Sequence, residues 1–359
     1  MTSGADRSRE DRGAYPPSGA VDRPLRPDTG LPLVSVITPS FNQVAYLEQA
    51  LRSVLGQGYP RLEYIVVDGG STDGSLEVLE RFRGDLARLI SEPDRGQADA
   101  INKGLALAHG EIVAWLNSDD AYLPGAIVEA VDALETDRQL AMVYGDGLMV
   151  DSELTLLDRH TYPQVDVVDL LCFEVILQPT VFMRRQVVEE VGRLDRSYEL
   201  ILDHELWVRI AAQHPIRHVG RVWSIERTHP DAKTIAQAAG FVEEAERLVR
   251  QAAADPRLGP LVERHRARIE GGLNVFAARR LIDAGEYGTA VRRLATASRH
   301  HLPTVARYWY KVVQAVGGAV GLGGVFRAYR RARRGVVHRR RIVDLQHGEP
   351  AAGAGAREA

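Results

Sequence analysis

Short apolar runs rich in β-branched residues alternate with segments of helical periodicity over residues 33–146. Leu33–Thr38 is such a run, closed by Pro39, and predicts a buried strand. Ala45–Gln57 then places apolar residues at helical spacing and predicts an amphipathic helix. Further strands are predicted at Tyr64–Val67, Leu89–Ile90, Ile112–Leu116 and Ala141–Tyr144. Helices are predicted between them: through Leu76 and Leu79, over Ala98–Ala108, and through Ile127, Val131 and Leu134. This alternation predicts the α/β fold class, with a mainly parallel sheet covered by helices on both faces.

The pattern changes after residue 150. Residues 151–234 show no regular alternation, whereas residues 240–315 carry apolar side chains at helical spacing. Residues 1–30 mix Arg, Asp, Gly and Pro without an apolar run, so we expect a disordered arm there rather than a signal peptide or anchor. Because no stretch reaches the roughly 20 apolar residues of a membrane-spanning helix, the protein is expected to be soluble or peripheral.

Composition and charge narrow the function only in part. The net charge of -3 gives no overall reason to expect a nucleic-acid partner. Cys172 is the single cysteine, so an intramolecular disulfide and a cysteine metal cluster are excluded, and a reducing cytoplasm is expected. The charge is unevenly placed, however, since eight arginines and no acidic residue lie between Arg327 and Arg341.

Polar residues follow five consecutive predicted strands. They are Ser40 and Asn42, Asp68, Glu92 and Asp94, Asp119 and Asp120, and Gly145 and Asp146. In parallel α/β sheets, ligands bind at the carboxyl ends of the strands. Packing alone does not explain five polar strand ends in succession, so a ligand site is predicted at this edge.

The pair Asp119-Asp120 is the strongest candidate within that site. Two adjacent carboxylates repel each other unless a cation or hydrogen bonds offset the repulsion. Their oxygen ligands suit Mg²⁺ or Mn²⁺, which would also bind a diphosphate. The alternative is a solvated turn that caps the following helix. The two residues alone do not decide between these interpretations.

Four motifs, in order along the chain, carry a resemblance to glycosyltransferase family 2, which has the GT-A fold. They are Val34–Asn42, Val67–Gly74, Glu92–Gln97 with Ala100–Gly104, and Trp115–Asp120. The resemblance covers roughly residues 33–235. It implies an inverting transfer of a sugar from a nucleoside diphosphate, of UDP or GDP type, with a divalent cation such as Mg²⁺ or Mn²⁺.

The resemblance also implies roles for the first set of polar residues. Pro39, Ser40 and Asn42 of the first loop, together with Asp68, are expected to line the nucleoside pocket. Asp94 and Arg95 are expected near the nucleotide or donor sugar. Ser118 and Asp119 are expected to contact the diphosphate, with Asp120 as the direct metal ligand. Many relatives carry two acids where this chain has Asp68-Gly69, so the identity of the base is left open. Three structural alternatives accompany these roles. One is a turn in which Ser71 satisfies Asp68, and another is a helix cap at Asp73. For Lys103, a phosphate contact and a solvated position are the two alternatives.

Leu200–Ile210 is the second candidate cluster, and its apolar spacing predicts the start of a helix. By the same resemblance, Asp203 is the general base that takes the proton of the acceptor hydroxyl. Its alternative role is a helix cap, and Glu205 and then His204 are the fallback bases. Gln178–Phe182 resembles a segment that lines the acceptor side.

Downstream, Arg227-Thr-His229 resembles a basic element followed by histidine. On that basis His229 is a candidate third metal ligand, with a plain surface histidine as the alternative, and Lys233 is a candidate phosphate contact. The run Arg327–Arg341 follows an aromatic segment at Tyr308–Tyr310. It suggests contact with the anionic inner face of the cytoplasmic membrane. A solvated tail is its alternative.

The predicted organisation is therefore a disordered arm (1–30), a GT-A domain (31–235), a helical extension (236–325) and a basic, partly disordered tail (326–359). The domain divides into a nucleotide-sugar half (31–146) and an acceptor half (147–235). The predicted role is glycosyl transfer to a glycan or lipid-linked acceptor in cell-envelope or exopolysaccharide synthesis, without a nucleic-acid partner. A non-catalytic nucleotide-binding scaffold and a sugar-phosphate nucleotidyltransferase are the two alternatives. The second is disfavoured because Thr38–Asn42 lacks a glycine-rich phosphate loop.

Overall fold

The first half of the sheet consists of parallel strands, as the alternation of apolar runs and helices predicts. A computed structural model describes residues 30–228 and 237–326. The first four strands are β1 Val34–Ser40, β2 Leu62–Asp68, β3 Arg88–Ser91 and β4 Ile112–Trp115. β1 pairs in parallel with both β2 and β4, and β2 pairs in parallel with β3. The carboxyl ends of these strands therefore meet at one edge of the sheet.

The second half of the sheet mixes strand directions. It contains β5 Ala121–Tyr122, β6 Met142–Val150, β7 Leu156–His160, β8 Val181–Arg184 and β9 Ile216–Arg227. The order is β3-β2-β1-β4-β8-β6-β9-β5, with β7 also paired to β6. β8 runs antiparallel to its neighbours β4 and β6, whereas β6 and β9 are parallel. The sheet is thus parallel from β3 to β4 and mixed beyond it, which refines the predicted mainly parallel arrangement.

Helices cover both faces of the sheet, as predicted. On one face lie α1 Val44–Leu55, α2 Ser75–Phe82 and α4 Ala126–Thr136; on the other lie α3 Gln97–Leu107, α5 Val167–Leu171, α6 Arg185–Val191 and α7 Leu202–Ala211. Adjacent residues of β1 serve the two faces, since Val36 packs into one core and Ile37 into the other. This alternation is the period-two pattern of a strand that is buried on both sides.

The helical extension packs into the core of the α/β domain. Its helices are α8 Ala238–Ala254, α9 Gly259–Asp283, α10 Tyr287–His300, α11 Leu302–Arg307 and α12 Trp309–Gly317. Phe276 of α9 stacks on Phe173, with 4.7 Å between the ring centroids. Gly272 permits this approach, because a Cβ there would lie 2.8 Å from backbone atoms of Cys172. Every helix of the described residues is too short or too polar to cross a bilayer.

Candidate active site

Residues from three of the five polar strand ends, those after β1, β3 and β4, line one open cavity of about 720 Å³, whereas Asp68 and Asp146 do not. The end of β1 contributes Pro39 and Ser40, and the loop after β4 contributes Asn117–Asp120. The second half of the domain adds Gln178, Asp203, Glu226 and Arg227, and the extension adds Phe241, Phe276 and Arg280. The cavity therefore joins residues from all three regions of the described chain. Its size is that of a small-molecule site.

Three residues that line the cavity each carry a buried polar atom without a hydrogen-bond partner among the described residues. These atoms are the hydroxyl of Ser40, the indole N–H of Trp115 and the side-chain oxygen of Gln178. The amide nitrogen of Gln178 is occupied, since it donates to the carbonyl of Trp115 at 2.8 Å. Because buried polar groups in folded proteins are normally paired, these three atoms point to a polar ligand in the cavity.

Asp119 and Asp120 lie at the carboxyl end of β4, as predicted. Asp120 is buried and accepts hydrogen bonds from the backbone N–H of Arg227 at 3.0 Å and from the amide of Asn117 at 3.3 Å. Burial, followed by the charges of Asp119 and Glu226, raises the pKa of Asp120 well above its ordinary value. The pair is therefore not a solvated turn, since Asp120 lies inside the protein.

The donor chemistry of this pair fits a hard divalent cation. Both hydrogen bonds to Asp120 lower its pKa but offset only part of the effect of burial and of the charges of Asp119 and Glu226, since the pKa stays well above its ordinary value. Mg²⁺ and Mn²⁺ take oxygen ligands, and Mg²⁺ is typically held by one or two carboxylates together with phosphate oxygens. Among residues 30–228 and 237–326, no group of three or more His, Cys, Asp and Glu side chains could hold a metal.

Asp203 is the second residue of α7 and lines the same cavity. Its carboxylate accepts the backbone N–H of His204 at 2.8 Å, so it also satisfies one free donor at the helix start. Ile201, rather than Asp203, occupies the N-cap position. Burial raises the pKa of Asp203 to about 6, although the backbone hydrogen bonds and the charge of Arg280 act in the opposite direction. A carboxylate of this kind is suited to accept a proton near neutral pH.

Glu226 and Arg280 are two site residues that the sequence pattern does not reveal. Glu226 lies near the end of β9, and burial followed by the charge of Asp119 raises its pKa to about 7. Arg280 extends from α9, with its guanidinium 4.4 Å from the ring centroid of Phe241 and 5.1 Å from that of Phe276. Burial lowers the pKa of Arg280, while the charges of Glu226 and Asp203 raise it. Arg280 therefore places a positive charge beside the two carboxylates.

Comparison with known proteins identifies the family of this chain. Residues 35–177 match the model of the family described as glycosyl transferase family 2. Over 187 residues the chain is 34% identical to an uncharacterized glycosyltransferase of Mycobacterium tuberculosis, covering 51% of this chain and 70% of that relative. The chain belongs to glycosyltransferase family 2. Another family relative, an uncharacterized glycosyltransferase of Rickettsia conorii, is 30% identical over 210 residues, or 55% of this chain and 34% of the relative.

Solved structures confirm the GT-A fold of this glycosyltransferase. A mannosyltransferase from Pyrobaculum calidifontis, in complex with GDP-Man and Mn²⁺, superposes with a TM-score of 0.55 at 23% identity, covering 83% of this chain and 90% of that one. Residues 1–349 of TarS from S. aureus, in complex with UDP-GlcNAc, superpose with a TM-score of 0.52 at 15% identity, covering 80% and 92%. Both likenesses extend over the helical region as well as the sheet, because they cover most of each chain.

Two residues expected in the nucleoside pocket of this glycosyltransferase lie outside the cavity wall. Asp68 is fully buried, and its carboxylate accepts hydrogen bonds from Gly70, Ser71 and Ser91 at 2.5–3.1 Å. Asn42 is exposed at a φ of 51°, and its side chain accepts the backbone N–H of Thr72 at 2.9 Å. Both side chains hold the turn after β2, and for Asp68 this is the turn role given as the alternative to a nucleoside contact.

The carboxylate of Asp73 has a structural role in this glycosyltransferase. It accepts the backbone N–H groups of Val44 and Ser75, the first residues of α1 and α2, at 2.9 and 3.0 Å. These donors are free at the start of any helix, so Asp73 stabilises both helix starts. Asp73 therefore has the expected role at a helix start, although Gly74 rather than Asp73 occupies the N-cap position of α2.

The remaining donor-side residues are Asp94 and Arg95, on the loop after β3, and Lys103 on α3. Asp94 lines the cavity as expected, whereas Arg95 is exposed and does not. Lys103 is buried, and its ammonium lies 2.9 Å from the carboxylate of Glu92 and donates to the carbonyl of Pro93. Lys103 therefore holds this loop in place, and neither the phosphate contact nor the solvated position expected for it is found. The same geometry corrects the expected position of Arg95 in the site.

The fallback bases also have structural partners in this glycosyltransferase. Glu205 forms a two-point ion pair with Arg209, at 2.6 and 2.8 Å, and does not line the cavity, so the structure places this expected fallback base away from the site. His204 lines the cavity, but its ring bonds the carbonyl of Leu170 at 2.8 Å and stacks on Phe173. Burial lowers the pKa of His204 to about 4, which makes it a weak base.

Some of the predicted features lie outside the described residues. These are the candidate metal ligand His229, the candidate phosphate contact Lys233, the arm at residues 1–29 and the basic run from Arg327 to Arg341. The neighbouring Arg227 is described, and it connects the end of β9 to the pair Asp119-Asp120. Its backbone bonds the carboxylate of Asp120, its Nε donates to the carbonyl of Asp119 at 2.9 Å, and its guanidinium lies over the ring of Tyr46.

Proposed function

We propose that this glycosyltransferase transfers a sugar from a nucleoside diphosphate to an acceptor hydroxyl, with inversion at the anomeric carbon. The observation that carries the proposal is that Asp119 and Asp120, on the donor side, line the same cavity as Asp203. Nucleotide sugars are named with two of the structural neighbours, GDP-Man with one and UDP-GlcNAc with the other. A donor of this class matches the oxygen-rich wall and the unpaired polar atoms of the cavity.

On the donor side, Asp119 and Asp120 would hold Mg²⁺ or Mn²⁺, with Ser118 beside them and His229 as a further candidate ligand. A bound divalent cation supplies positive charge that offsets the charge developing on the departing diphosphate. The unpaired hydroxyl of Ser40 and the neighbouring Pro39 provide contacts for the nucleoside. Lys233 is proposed as a phosphate contact on the strength of the family resemblance.

On the acceptor side, Asp203 acts as the general base. The acceptor oxygen attacks the anomeric carbon while its proton passes to the carboxylate of Asp203. The bond between the anomeric carbon and the diphosphate oxygen breaks, and the diphosphate leaves with the electron pair. Because attack and departure occur on opposite faces of the carbon, the configuration inverts. Gln178, held by the carbonyl of Trp115, is placed to orient a sugar hydroxyl.

Peripheral membrane contact is proposed for the extension. The exposed face of α12 and the turn after it is apolar, with Trp309 66%, Val313 49%, Val316 47% and Val320 71% exposed. Lys311 is the sole charged residue from Trp309 to Val325, and the eight arginines follow in the sequence. An apolar face next to a basic segment is suited to an anionic lipid surface. This placement supports a lipid-linked or glycan acceptor of the cell envelope or an exopolysaccharide, and a site at the inner face of the cytoplasmic membrane.

A thermal-shift and turnover experiment tests the proposal against the scaffold alternative. The protein is heated with UDP, GDP and their sugar conjugates, with and without Mn²⁺, and release of nucleoside diphosphate is then followed without an acceptor. We expect metal-dependent stabilisation by one nucleotide class and slow hydrolysis of its sugar conjugate. Stabilisation without any hydrolysis would favour the scaffold, and no stabilisation by any nucleotide would contradict the proposed function.

A further inference from the structure

Gly69 lies at the cavity wall, and the side chain of Asp94 fills the space that a side chain at position 69 would take. A Cβ placed on Gly69 would lie 2.5 Å from Oδ2 of Asp94 and 3.3 Å from Cδ2 of Phe41. Real Cβ atoms do not approach a neighbour as closely as 2.5 Å, so the carboxylate of Asp94 occupies the space of a side chain at position 69. Gly69, Asp94 and Phe41 all line the cavity, next to Ser40.

The position of Asp94 is fixed by the loop that carries it. Its Oδ1 accepts the backbone N–H of Gly96 at 2.8 Å. Lys103 holds the preceding residues through its ion pair with Glu92 and its hydrogen bond to Pro93. These contacts leave the carboxylate with a defined direction before any ligand binds, which reduces the entropy lost on binding.

The free oxygen of Asp94 and the ring of Phe41 together define the ligand chemistry. Oδ2 of Asp94 receives no hydrogen bond from the described residues, and an ionised carboxylate is an acceptor only. Phe41 is 58% exposed despite its apolar ring, and exposed aromatic rings at binding sites stack on planar bases. This part of the cavity wall is therefore suited to a flat heterocycle that carries an N–H donor at its edge.

We infer that Asp94, in the space left by Gly69, recognises the nucleobase of the donor by accepting a hydrogen bond from a ring N–H. Uracil, thymine and guanine carry such a group in their nucleotides. Adenine and cytosine present an unprotonated ring nitrogen at the same edge, and its lone pair repels a carboxylate. The inference deepens the proposed function and rests on it, since it assumes a nucleotide-activated donor.

Calorimetric titration of the full chain with Mn²⁺ tests this inference. UDP, dTDP, GDP, ADP and CDP are compared first, and we expect one of the first three to bind tightest. The preferred nucleotide is then methylated at its ring nitrogen (N3 of a pyrimidine or N1 of guanine), which removes the donor. For the wild type, methylation is expected to weaken binding by about 10- to 100-fold, the range of a hydrogen bond to a charged group.

Two substitutions change the carboxylate of Asp94 in different ways. Asp94→Asn removes its charge, and Gly69→Ala displaces it while Asp94 remains in the sequence. The φ of Gly69 is outside the left-handed region, so alanine is tolerated by the backbone there. Both variants are expected to bind the parent nucleotide weakly and to lose the sensitivity to methylation. Glu80→Gln, which removes an exposed carboxylate from α2, is the control and should behave as the wild type.

The outcomes separate the inference from the proposed function. If no nucleoside diphosphate binds the wild type, the proposed function fails and the inference with it. If a nucleotide binds but ADP or CDP binds as tightly as the others, base recognition by Asp94 is wrong while the function stands. The same conclusion follows if Asp94→Asn and Gly69→Ala, still folded by their thermal transitions, remain sensitive to ring methylation.

Discussion

Asp120 and Asp203 lie in the same cavity, but their surroundings favour different chemistry. Asp120 has two other carboxylates, Asp119 and Glu226, among the causes that raise its pKa, so a cation is its natural partner. For Asp203, burial is the main cause, and backbone hydrogen bonds and the charge of Arg280 oppose it. A single buried carboxylate near a cation stays ionised close to neutral pH and can accept a proton. These two environments are the basis for the roles proposed for the residues.

Asp203→Asn is expected to lower kcat by about 10²–10⁴-fold, the range attributed to a general base. Nucleotide affinity should stay within about twofold, because Asp203 is assigned to the acceptor side. The folded-state pKa of about 6 lies above the ordinary 3.8. The stability contributed by the protonated form is therefore present below pH 3.8 and is lost as pH rises through 6. Asn at this position should consequently raise the Tm at neutral pH, and full turnover by the variant would exclude Asp203 as the base.

The acid limb of the pH–rate profile is expected near pH 6, where Asp203 becomes protonated and cannot accept the proton. Arg280 lowers the pKa of Asp203, so Arg280→Gln should raise that pKa and move the limb toward higher pH. The profile of kcat against pH, measured for both proteins, checks this shift. A limb that stays in place in the variant would show that Arg280 does not act on the base.

Asp120→Ala is expected to lower kcat by at least about 10²-fold, because the charge on the leaving diphosphate is no longer offset. Thermal shifts with nucleotide and Mn²⁺ should also lose their metal dependence. Asp132→Ala on α4, which does not line the cavity, serves as the control. Retention of metal-dependent stabilisation by Asp120→Ala would contradict its assignment as a ligand.

At the scale of elements, α9 connects the helical extension to the chemistry of the cavity. Its Phe276 stacks on Phe173, two residues after the end of α5, and its Arg280 lines the cavity. The approach depends on Gly272, which faces the backbone of Cys172. Since backbone atoms cannot move aside as a flexible side chain can, this contact sets the position of the helix.

Gly272→Ala is therefore expected to lower the free energy of unfolding by about 1–3 kcal/mol, the cost of overpacking. Gly288→Ala on α10 is the matched control, because no heavy atom lies within 4 Å of a Cβ at that position. There alanine should be neutral or stabilise the protein by up to about 1 kcal/mol through helix propensity. Denaturant unfolding of both variants measures the difference. Equal stability would show that α9 tolerates displacement from Cys172.

At the scale of the whole molecule, the exposed apolar face of α12 has a native fluorescent reporter. Trp309 is 66% exposed, whereas Trp115, Trp207 and Trp223 are each 1% exposed or less. Anionic vesicles of phosphatidylglycerol and phosphatidylcholine should shift the tryptophan emission to shorter wavelength, and pure phosphatidylcholine should not. The shift should weaken at high salt, because attraction by the arginine run is screened.

Trp309→Phe should remove the spectral shift but retain sedimentation with vesicles, since the aromatic face is kept. Val313→Asp with Val316→Asp should abolish both, because two charges would enter the apolar face. Absence of any shift with anionic vesicles would contradict membrane contact. A change in oligomeric state with concentration, without lipid, would instead identify a second copy of the chain as the occupant of this face.

Most strands and helices of the nucleotide-sugar half could be predicted from the sequence, because each is marked by a residue pattern within its own segment. The strands β1 to β4 are continuous apolar runs, and the helices between them have clear periodicity, so their order and their polar ends follow directly. The strands β7 to β9 could not be predicted, since β9 mixes arginine, histidine and apolar residues with no period of two. Its place in the sheet depends on pairing with β6, which is distant in the sequence.

The sequence by itself determined which chemistry the protein carries: a carboxylate pair after β4, a further acid at the start of α7 and the motifs of a glycosyltransferase family. The tertiary structure decided which of those groups line the cavity. Asp68 and Glu205 are acids of the same kind as Asp94 and Asp203, yet their nearest donors lie in their own turn and helix, so they are used structurally. Glu226 and Arg280 line the cavity from elements that are distant in the sequence. The sequence pattern does not reveal their position, because burial and hydrogen bonding depend on which residues are neighbours in the folded chain.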